Sequence, residues 1–147
     1  METRILRGKA VAETIKAEVT AELQKMARKD LVPGLATILV GENPASHLYV
    51  NSKTRACEAL GMHSQSIHLP TETTTDELLE VINRLNLTDE IDGILVQAPL
   101  PDQIDEGLIL LSVLPEKDVD GFHPQNVGNL CSGKIGLGSL ESFASPL

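Results

Sequence analysis

The chain has 147 residues, of which 41% are hydrophobic and 22% are charged, and its formal net charge is -9. This balance predicts a globular domain with its own core rather than a disordered chain. The acidic charge argues against a nucleic-acid partner, because phosphate contacts need a basic face. No apolar run reaches the ~20 residues of a membrane helix and no signal peptide is evident, so we expect a cytoplasmic protein without a membrane partner.

The first half of the chain alternates between helical and strand patterns. Apolar residues spaced by three or four positions predict a helix over residues 9–28. The apolar, β-branched run 35–40 predicts a strand buried on both faces. A helix over residues 46–60 follows, and Gly61 is placed to end it.

The second half continues the alternation. Residues 64–69 predict a second strand, and Thr74 with Glu77 has the spacing of a capping box that opens a third helix. Residues 94–96 predict a third buried strand, and residues 108–114 a short helix. Strands that alternate with helices predict βαβ units, hence an α/β fold of three α-β-α layers with a mainly parallel sheet. Its ligand is expected at the carboxyl ends of the strands.

The end of the chain differs in composition. Residues 126–147 are rich in Gly and Ser and have no strong period. We therefore expect one domain over residues 1–125, followed by a linker or by a segment that needs a partner. Cys57 and Cys131 are two isolated cysteines, which predicts reduced thiols rather than a disulfide framework.

Polar side chains on the second helix form one candidate site. Ser46, Tyr49 and Lys53 stand at positions i, i+3 and i+7, which share a helix face. A tyrosine and a lysine one turn apart are a plausible acid/base pair. The alternative is that Tyr49 packs and Lys53 is merely solvated.

Two other strand ends carry polar groups. Gln97 ends an apolar strand, where its amide can face a ligand or can simply mark an ordinary strand exit. Asp118 and Asp120 flank Val119, so in extended backbone they would point the same way and bind a metal or a cationic ring. The alternative is a turn in which aspartate accepts from backbone donors. The four histidines lack metal-ligand spacing and no Gly-x-Gly-x-x-Gly occurs, so we expect neither a metal site nor a cofactor site in this chain.

Taken together, these stretches resemble the bifunctional methylenetetrahydrofolate dehydrogenase/methenyltetrahydrofolate cyclohydrolase family. The resemblance covers residues 5 to about 133 and is carried by three ordered motifs. They are Gly41-Glu42-Asn43-Pro44-Ala45-Ser46 running into Tyr49-Val50-Asn51-Ser52-Lys53, then Asp92-Gly93-Ile94-Leu95-Val96-Gln97 running into Pro99-Leu100-Pro101, and Pro115-Glu116-Lys117-Asp118-Val119-Asp120-Gly121.

The resemblance implies roles for individual residues. Lys53 is then the catalytic lysine, Tyr49 orients the folate ring, Gln97 tunes the lysine and Asp120 holds the pterin. Ala98 stands where the family usually has a leucine, which trims the pocket wall. The substrate-binding residues implied in this way are Ser46, Tyr49, Val50, Asn51, Ser52, Lys53, Val96, Gln97, Ala98 and Asp120.

The family resemblance also implies an activity. It would oxidise 5,10-methylenetetrahydrofolate with NADP or NAD and hydrolyse the methenyl product to 10-formyltetrahydrofolate. The cofactor would be bound mainly by a second, Rossmann domain that this chain lacks, and the full-length form would be a homodimer. The alternative is a non-catalytic folate-binding or interaction domain. The order of motifs makes the substrate domain of another dehydrogenase a poor match.

Overall fold

The computed structural model describes residues 8–133. The chain divides after Val32 into two units. In the first unit the structure describes one long helix, α1 (Gly8–Ala27). The second unit contains the remaining elements: β1 (Gly34–Val40), α2 (Pro44–Ala59), β2 (His63–Leu69), α3 (Thr75–Asn86), β3 (Gly93–Val96), α4 (Glu106–Ser112) and α5 (Pro124–Cys131).

The sheet of the second unit is parallel and has the strand order β2-β1-β3. Leu35 of β1 lies opposite Ser64 of β2 on one side and Gly93 of β3 on the other. On its outer edge β3 accepts a further short segment, because the Ile94 amide donates to the Lys117 carbonyl oxygen at 2.7 Å. The parallel register brings the carboxyl ends of all three strands to one edge of the sheet.

The two faces of β1 are covered by different helices. Ala36, Ile38 and Val40 belong to one buried cluster with Leu78 and Ile82 of α3. The opposite face is covered by α2, whose buried residues are Ser46, Val50 and Cys57. The predicted three-layer α/β architecture and the strand buried on both faces are therefore confirmed.

The capping box predicted for the third helix is confirmed. The Glu77 amide donates to Oγ1 of Thr74, and the Thr74 amide donates to the Glu77 carboxylate at 2.8 Å. The Thr74 hydroxyl also donates to the Glu77 carboxylate at 3.0 Å, and the hydrogen bonds from the Thr74 amide and hydroxyl lower the pKa of Glu77, the amide most strongly. The helix that follows turns Leu78, Ile82 and Leu85 into the core.

Helix α5 is the main difference from the sequence prediction. Residues 126–131 were expected in a linker, but they lie within α5, which extends to Cys131. The helix begins with Pro124 in its first turn, and Nδ1 of His123 accepts from the Gln125 amide. Both are ordinary start signals that the glycine-rich composition downstream obscured. Residues 134–147 of the predicted linker lie outside the described residues.

Within residues 8–133, no helix is both long enough and apolar enough to cross a lipid bilayer.

Candidate active site

Helix α2 carries the candidate catalytic residues, and its first turn is strongly specified. Asn43 caps it, since its Oδ1 accepts from the amides of Ala45 and Ser46 at 3.0 and 3.2 Å. Pro44 occupies the first turn, where a missing amide proton costs nothing. Gly41 precedes the cap with a φ of +82°, a conformation that favours glycine. The helix therefore starts at a fixed point just beyond the carboxyl end of β1.

On the face of α2 that is turned toward the strand ends, some side chains are buried and others are exposed. Ser46 and Val50 are buried at 2% and 4% exposure, so they anchor the helix on the sheet. Lys53 continues the same stripe and is half-buried. Tyr49 is 62% exposed, which leaves its ring free to meet a ligand and contradicts the alternative that it packs in the core.

Lys53 meets the end of β3. Its Nζ donates a long hydrogen bond to Oε1 of Gln97 at 3.4 Å. The amide of Gln97 is oriented by a second bond, since its Nε2 donates to the Ala98 carbonyl oxygen at 2.8 Å. Because the NH₂ group is held by Ala98, the oxygen faces the lysine. Lys53 is thus positioned by a specific partner rather than freely solvated.

Asp120 lies close enough to Lys53 for their charges to interact. Burial raises the pKa of the Asp120 carboxyl above its usual value, the Lys53 ammonium opposes this, and the Asp118 charge adds to it. Among the described residues, no side chain or backbone group donates a hydrogen bond to Asp120. Its carboxylate is therefore available to accept from the donors of a ligand.

The two aspartates of the 118–120 segment differ in role. Oδ1 of Asp118 accepts from the Gly121 amide at 3.0 Å, and Oδ2 accepts from the His123 amide at 2.8 Å and from Nδ2 of Asn126 at 3.0 Å. Extended backbone had suggested that both carboxylates point the same way, but the chain bends after Asp118. The alternative of an aspartate that orders a turn is correct for Asp118, and this turn holds Asp120.

The structure brings together part of the predicted set. Tyr49, Lys53, Gln97 and Asp120 lie at one edge of the sheet, with Val96 and Ala98 beside Gln97 in the chain. Ser52 is exposed one position before Lys53. Asn51 is not brought to this face, since it stands about 160° around the helix from Lys53.

Sequence analysis missed a second group at the same edge of the sheet. Glu42, His47 and His68 each offer a ligand atom within 4.8 Å of the others. The histidines lack metal-ligand spacing along the chain, but the fold brings two of them beside one carboxylate. The available signal was topological, because Glu42 follows β1 and His68 stands near the end of the neighbouring strand β2.

Comparison with known proteins places the chain in a family. The tetrahydrofolate dehydrogenase/cyclohydrolase catalytic domain family matches residues 6–120. The chain belongs to this family. Its resemblance at the three motifs is thereby confirmed, and the match spans α1 through the Asp118–Asp120 segment.

Individual relatives agree. The bifunctional protein FolD of Geotalea daltonii is 52% identical over 131 residues, covering 89% of this chain and 47% of that protein. The crystal structure of FolD from Campylobacter jejuni has a TM-score of 0.85 and 50% identity, covering 90% of this chain and 47% of that one.

A third relative was solved with ligands. The Trypanosoma brucei methylenetetrahydrofolate dehydrogenase-cyclohydrolase, complexed with NADP cofactor and inhibitor, has a TM-score of 0.84 and 39% identity, covering 88% of this chain and 44% of that one. The chain therefore spans about half the length of the relatives it matches.

Proposed function

We propose that this chain is the folate-binding catalytic domain of a methylenetetrahydrofolate dehydrogenase/methenyltetrahydrofolate cyclohydrolase. The observation that carries the proposal is the meeting of Lys53, Gln97 and Asp120 at one strand edge, in a chain that belongs to this family. The domain comprises residues 1–125, and the hinge toward a cofactor domain comprises residues 126–147, with α5 at its start.

Substrate recognition is assigned to Tyr49, whose ring is exposed, and to Asp120, whose carboxylate accepts no hydrogen bond from the described residues. The exposed ring of Tyr49 stacks on the flat pterin and fixes its plane. The Asp120 carboxylate accepts from the pterin N–H donors, and burial makes such charge-assisted bonds stronger than in water. Val96, Ala98 and Ser52 line the same edge, where Ala98 leaves more room than a leucine would. Ser46 and Val50 act indirectly, by seating α2 on the sheet.

Lys53 is assigned the proton transfers of the hydrolytic step. The oxygen of water bonds to the methenyl carbon of the substrate, and Lys53, acting as the general base through Nζ, takes the proton that water loses. Lys53 returns this proton to N5 as the bond between N5 and that carbon breaks, and the hydroxyl on the carbon releases its proton to solvent, which leaves the formyl group on N10. Gln97 holds Nζ in position through both transfers.

The oxidation step needs a nicotinamide cofactor, NADP or NAD, which accepts the hydride. No Gly-x-Gly-x-x-Gly occurs in the 147 residues, so the donor set of this chain does not fit that cofactor. The Trypanosoma brucei relative was solved with NADP and is about twice as long as the matched region. We therefore assign cofactor binding to protein outside this chain and the substrate pocket to the chain itself.

The proposal includes a cytoplasmic location and a homodimeric full-length form, with no nucleic-acid partner. A reducing compartment agrees with Cys57 and Cys131, which are both free. The net charge of -9 disfavours phosphate backbones. Sedimentation of the full-length protein tests the dimer.

The deciding experiment is a cyclohydrolase assay on the 147-residue chain with 5,10-methenyltetrahydrofolate. Hydrolysis that is faster than the buffer rate, and that is lost in Lys53→Met but kept in Arg55→Met, supports the enzymatic role. Calorimetry with a folate analogue addresses the alternative of a non-catalytic binding domain. Binding without hydrolysis, in both this chain and the full-length protein, would replace the enzymatic proposal with that alternative.

A further inference from the structure

Three potential metal ligands converge at the carboxyl ends of β1 and β2. Glu42 follows β1, His47 lies in the first turns of α2 and His68 stands near the end of β2. Nε2 of His47 lies 3.1 Å from Oε2 of Glu42, and Nε2 of His68 lies 3.4 Å from Oε1 of the same carboxylate. We refer to these residues as the Glu42/His47/His68 cluster. None of them belongs to the proposed folate site.

The spacing of these atoms suits a bound metal ion. Zinc bonds to histidine nitrogen and carboxylate oxygen are about 2.0–2.2 Å long, so neighbouring ligands of a tetrahedral site lie about 3.3–3.4 Å apart. The two nitrogen–oxygen distances, each to a different oxygen of Glu42, fall close to that separation, and the ligand atoms of the three residues lie within 4.8 Å of one another. The imidazole rings meet edge to face, with centroids 4.8 Å apart and planes at 88°, and both Nε2 atoms face the same carboxylate.

We propose that the Glu42/His47/His68 cluster binds one divalent transition-metal ion of the zinc type. Two imidazoles and one carboxylate favour zinc, cobalt, nickel or copper over magnesium and calcium, which prefer oxygen ligands alone. The metal would bind the unprotonated Nε2 of each neutral imidazole, whose single ring proton would then lie on Nδ1. The side chain of Glu42 is 74% exposed, so water has access to the remaining coordination position.

The backbone around the cluster is already arranged for such a site. The Gly41 amide donates to the Leu69 carbonyl oxygen at 2.9 Å, which fixes the start of the loop against the end of β2. The Gly41 carbonyl oxygen accepts a hydrogen bond from Nε2 of His68 at 2.8 Å, which holds the ring of His68 beside this loop; that bond would be given up when Nε2 binds the metal. Asn43 caps α2 and fixes where the helix begins, and this sets the position of His47 in its first turns. The net charge of -9 raises the local concentration of cations.

A metal ion here would connect three separate segments of the second unit. It would join the β1–α2 loop, the first turns of α2 and the end of β2. Helix α2 also carries Tyr49 and Lys53, so the ion would stiffen the loop that leads into the folate site. It takes no part in the chemistry proposed for Lys53.

The test is a zinc titration of the 147-residue chain against a chromogenic zinc indicator, in a Cys131→Ser background that removes the exposed thiol. We expect one zinc per chain. Glu42→Gln and His47→Ala should each weaken binding about tenfold or more, since even the partners of metal ligands are worth 10–100-fold. His63→Ala, an exposed histidine at the start of β2, is the matched control and should bind as the parent does.

Cobalt provides a second readout. Binding of Co²⁺ should give the intense visible absorption of a tetrahedral site, and this should disappear in Glu42→Gln. That variant keeps the size and shape of an exposed side chain, so it tests the site even if His47→Ala fails to fold. Equal affinity in the parent and in Glu42→Gln, or an equal loss in His63→Ala, would overturn the proposal. Neither result would bear on the folate site, because none of the three residues belongs to it.

Discussion

Nζ of Lys53 lies 3.4 Å from Oε1 of Gln97, although 44 positions of sequence separate the two residues. The contact exists because β1 pairs with β3, which brings the helix that follows β1 next to the residue that follows β3. The Gln97 amide donates to the Ile38 carbonyl oxygen at 2.8 Å, so the sheet ladder itself sets the position of Gln97. The proposed catalytic pair is therefore a product of strand order.

We expect Lys53→Met to lower the rate of methenyltetrahydrofolate hydrolysis by about 10²–10⁴, the usual worth of a general acid/base. The fold should persist, because Lys53 is only half-buried and methionine retains its apolar stem. Arg55→Met, on the exposed side of the same helix, is the control and should keep the parent rate. A Lys53→Met rate within about threefold of the parent would remove Lys53 from the mechanism, because that is under ~1 kcal/mol of barrier.

We expect Asp120→Asn to weaken binding of a folate analogue by about 10–100-fold, the worth of hydrogen bonds to a charged acceptor. Calorimetry measures the loss.

The same substitution should not lower the free energy of unfolding at neutral pH. Burial raises the pKa of Asp120 in the folded state, so between the ordinary and the raised pKa the folded state binds a proton that the unfolded state has released. The contribution of Asp120 to the free energy of unfolding is therefore full below its ordinary pKa and is lost as the pH rises through the raised pKa.

The neutral amide of Asp120→Asn removes that pH-dependent loss. At neutral pH the variant should be at least as stable as the parent by urea denaturation. A variant that is clearly less stable at neutral pH but binds folate normally would assign Asp120 a structural role.

We expect Asp118→Ala to lower the free energy of unfolding by about 1–3 kcal/mol, since the Gly121 amide, the His123 amide and Asn126 Nδ2 lose their acceptor. Any loss of folate binding should follow indirectly, through the turn that holds Asp120. Denaturant unfolding and calorimetry on the same sample separate the two effects. Normal stability combined with a larger binding loss than Asp120→Asn would reverse the roles assigned to the two carboxylates.

We expect Gly34→Ala to destabilise the fold severely. A methyl group at this position would lie 1.8 Å from the Glu90 carbonyl oxygen, which is backbone and cannot rotate away. The same junction is held by the Gly34 amide, which donates to the Asp92 carboxylate at 2.8 Å. Gly128→Ala is the control, because that glycine lies within α5 and a Cβ added to it would meet nothing within 4 Å, so alanine there should stabilise by about 0.5–1 kcal/mol. Thermal unfolding of both variants should show shifts of opposite sign.

The fold was largely predictable because its signals are local. Continuous apolar runs marked β1 and β3, and the Thr74/Glu77 capping box marked the start of α3. Helix α5 was missed because a weak apolar period next to a glycine-rich segment outweighed the start signal at Pro124. Local patterns were thus sufficient where the apolar period was strong, in the exposed helix α1 as well as in the buried strands, and insufficient where it was weak.

The site was predictable only in part. The lysine at i+4 from Tyr49 follows from helical spacing, but the partner of Lys53 depends on strand order, which spacing along the chain does not give. The different roles of Asp118 and Asp120 depend on one bend of the backbone and on donors up to eight positions away. The Glu42/His47/His68 cluster required two strands to be placed side by side before its members could be seen together.

Among the strands within residues 8–133, the central one comes first, and this order has a consequence for folding. Ile38 of β1 pairs with Val96 of β3, 58 positions later, so β1 gains its second neighbour only after β3 has been synthesised. Until then an apolar strand has an open edge, the kind of edge that pairs readily with another chain. On a ribosome adding ~5–20 residues per second, that interval is about 3–12 seconds. Nascent chains of this protein are most exposed to misassembly during those seconds, and holding β1 apart from other chains until β3 emerges would protect them.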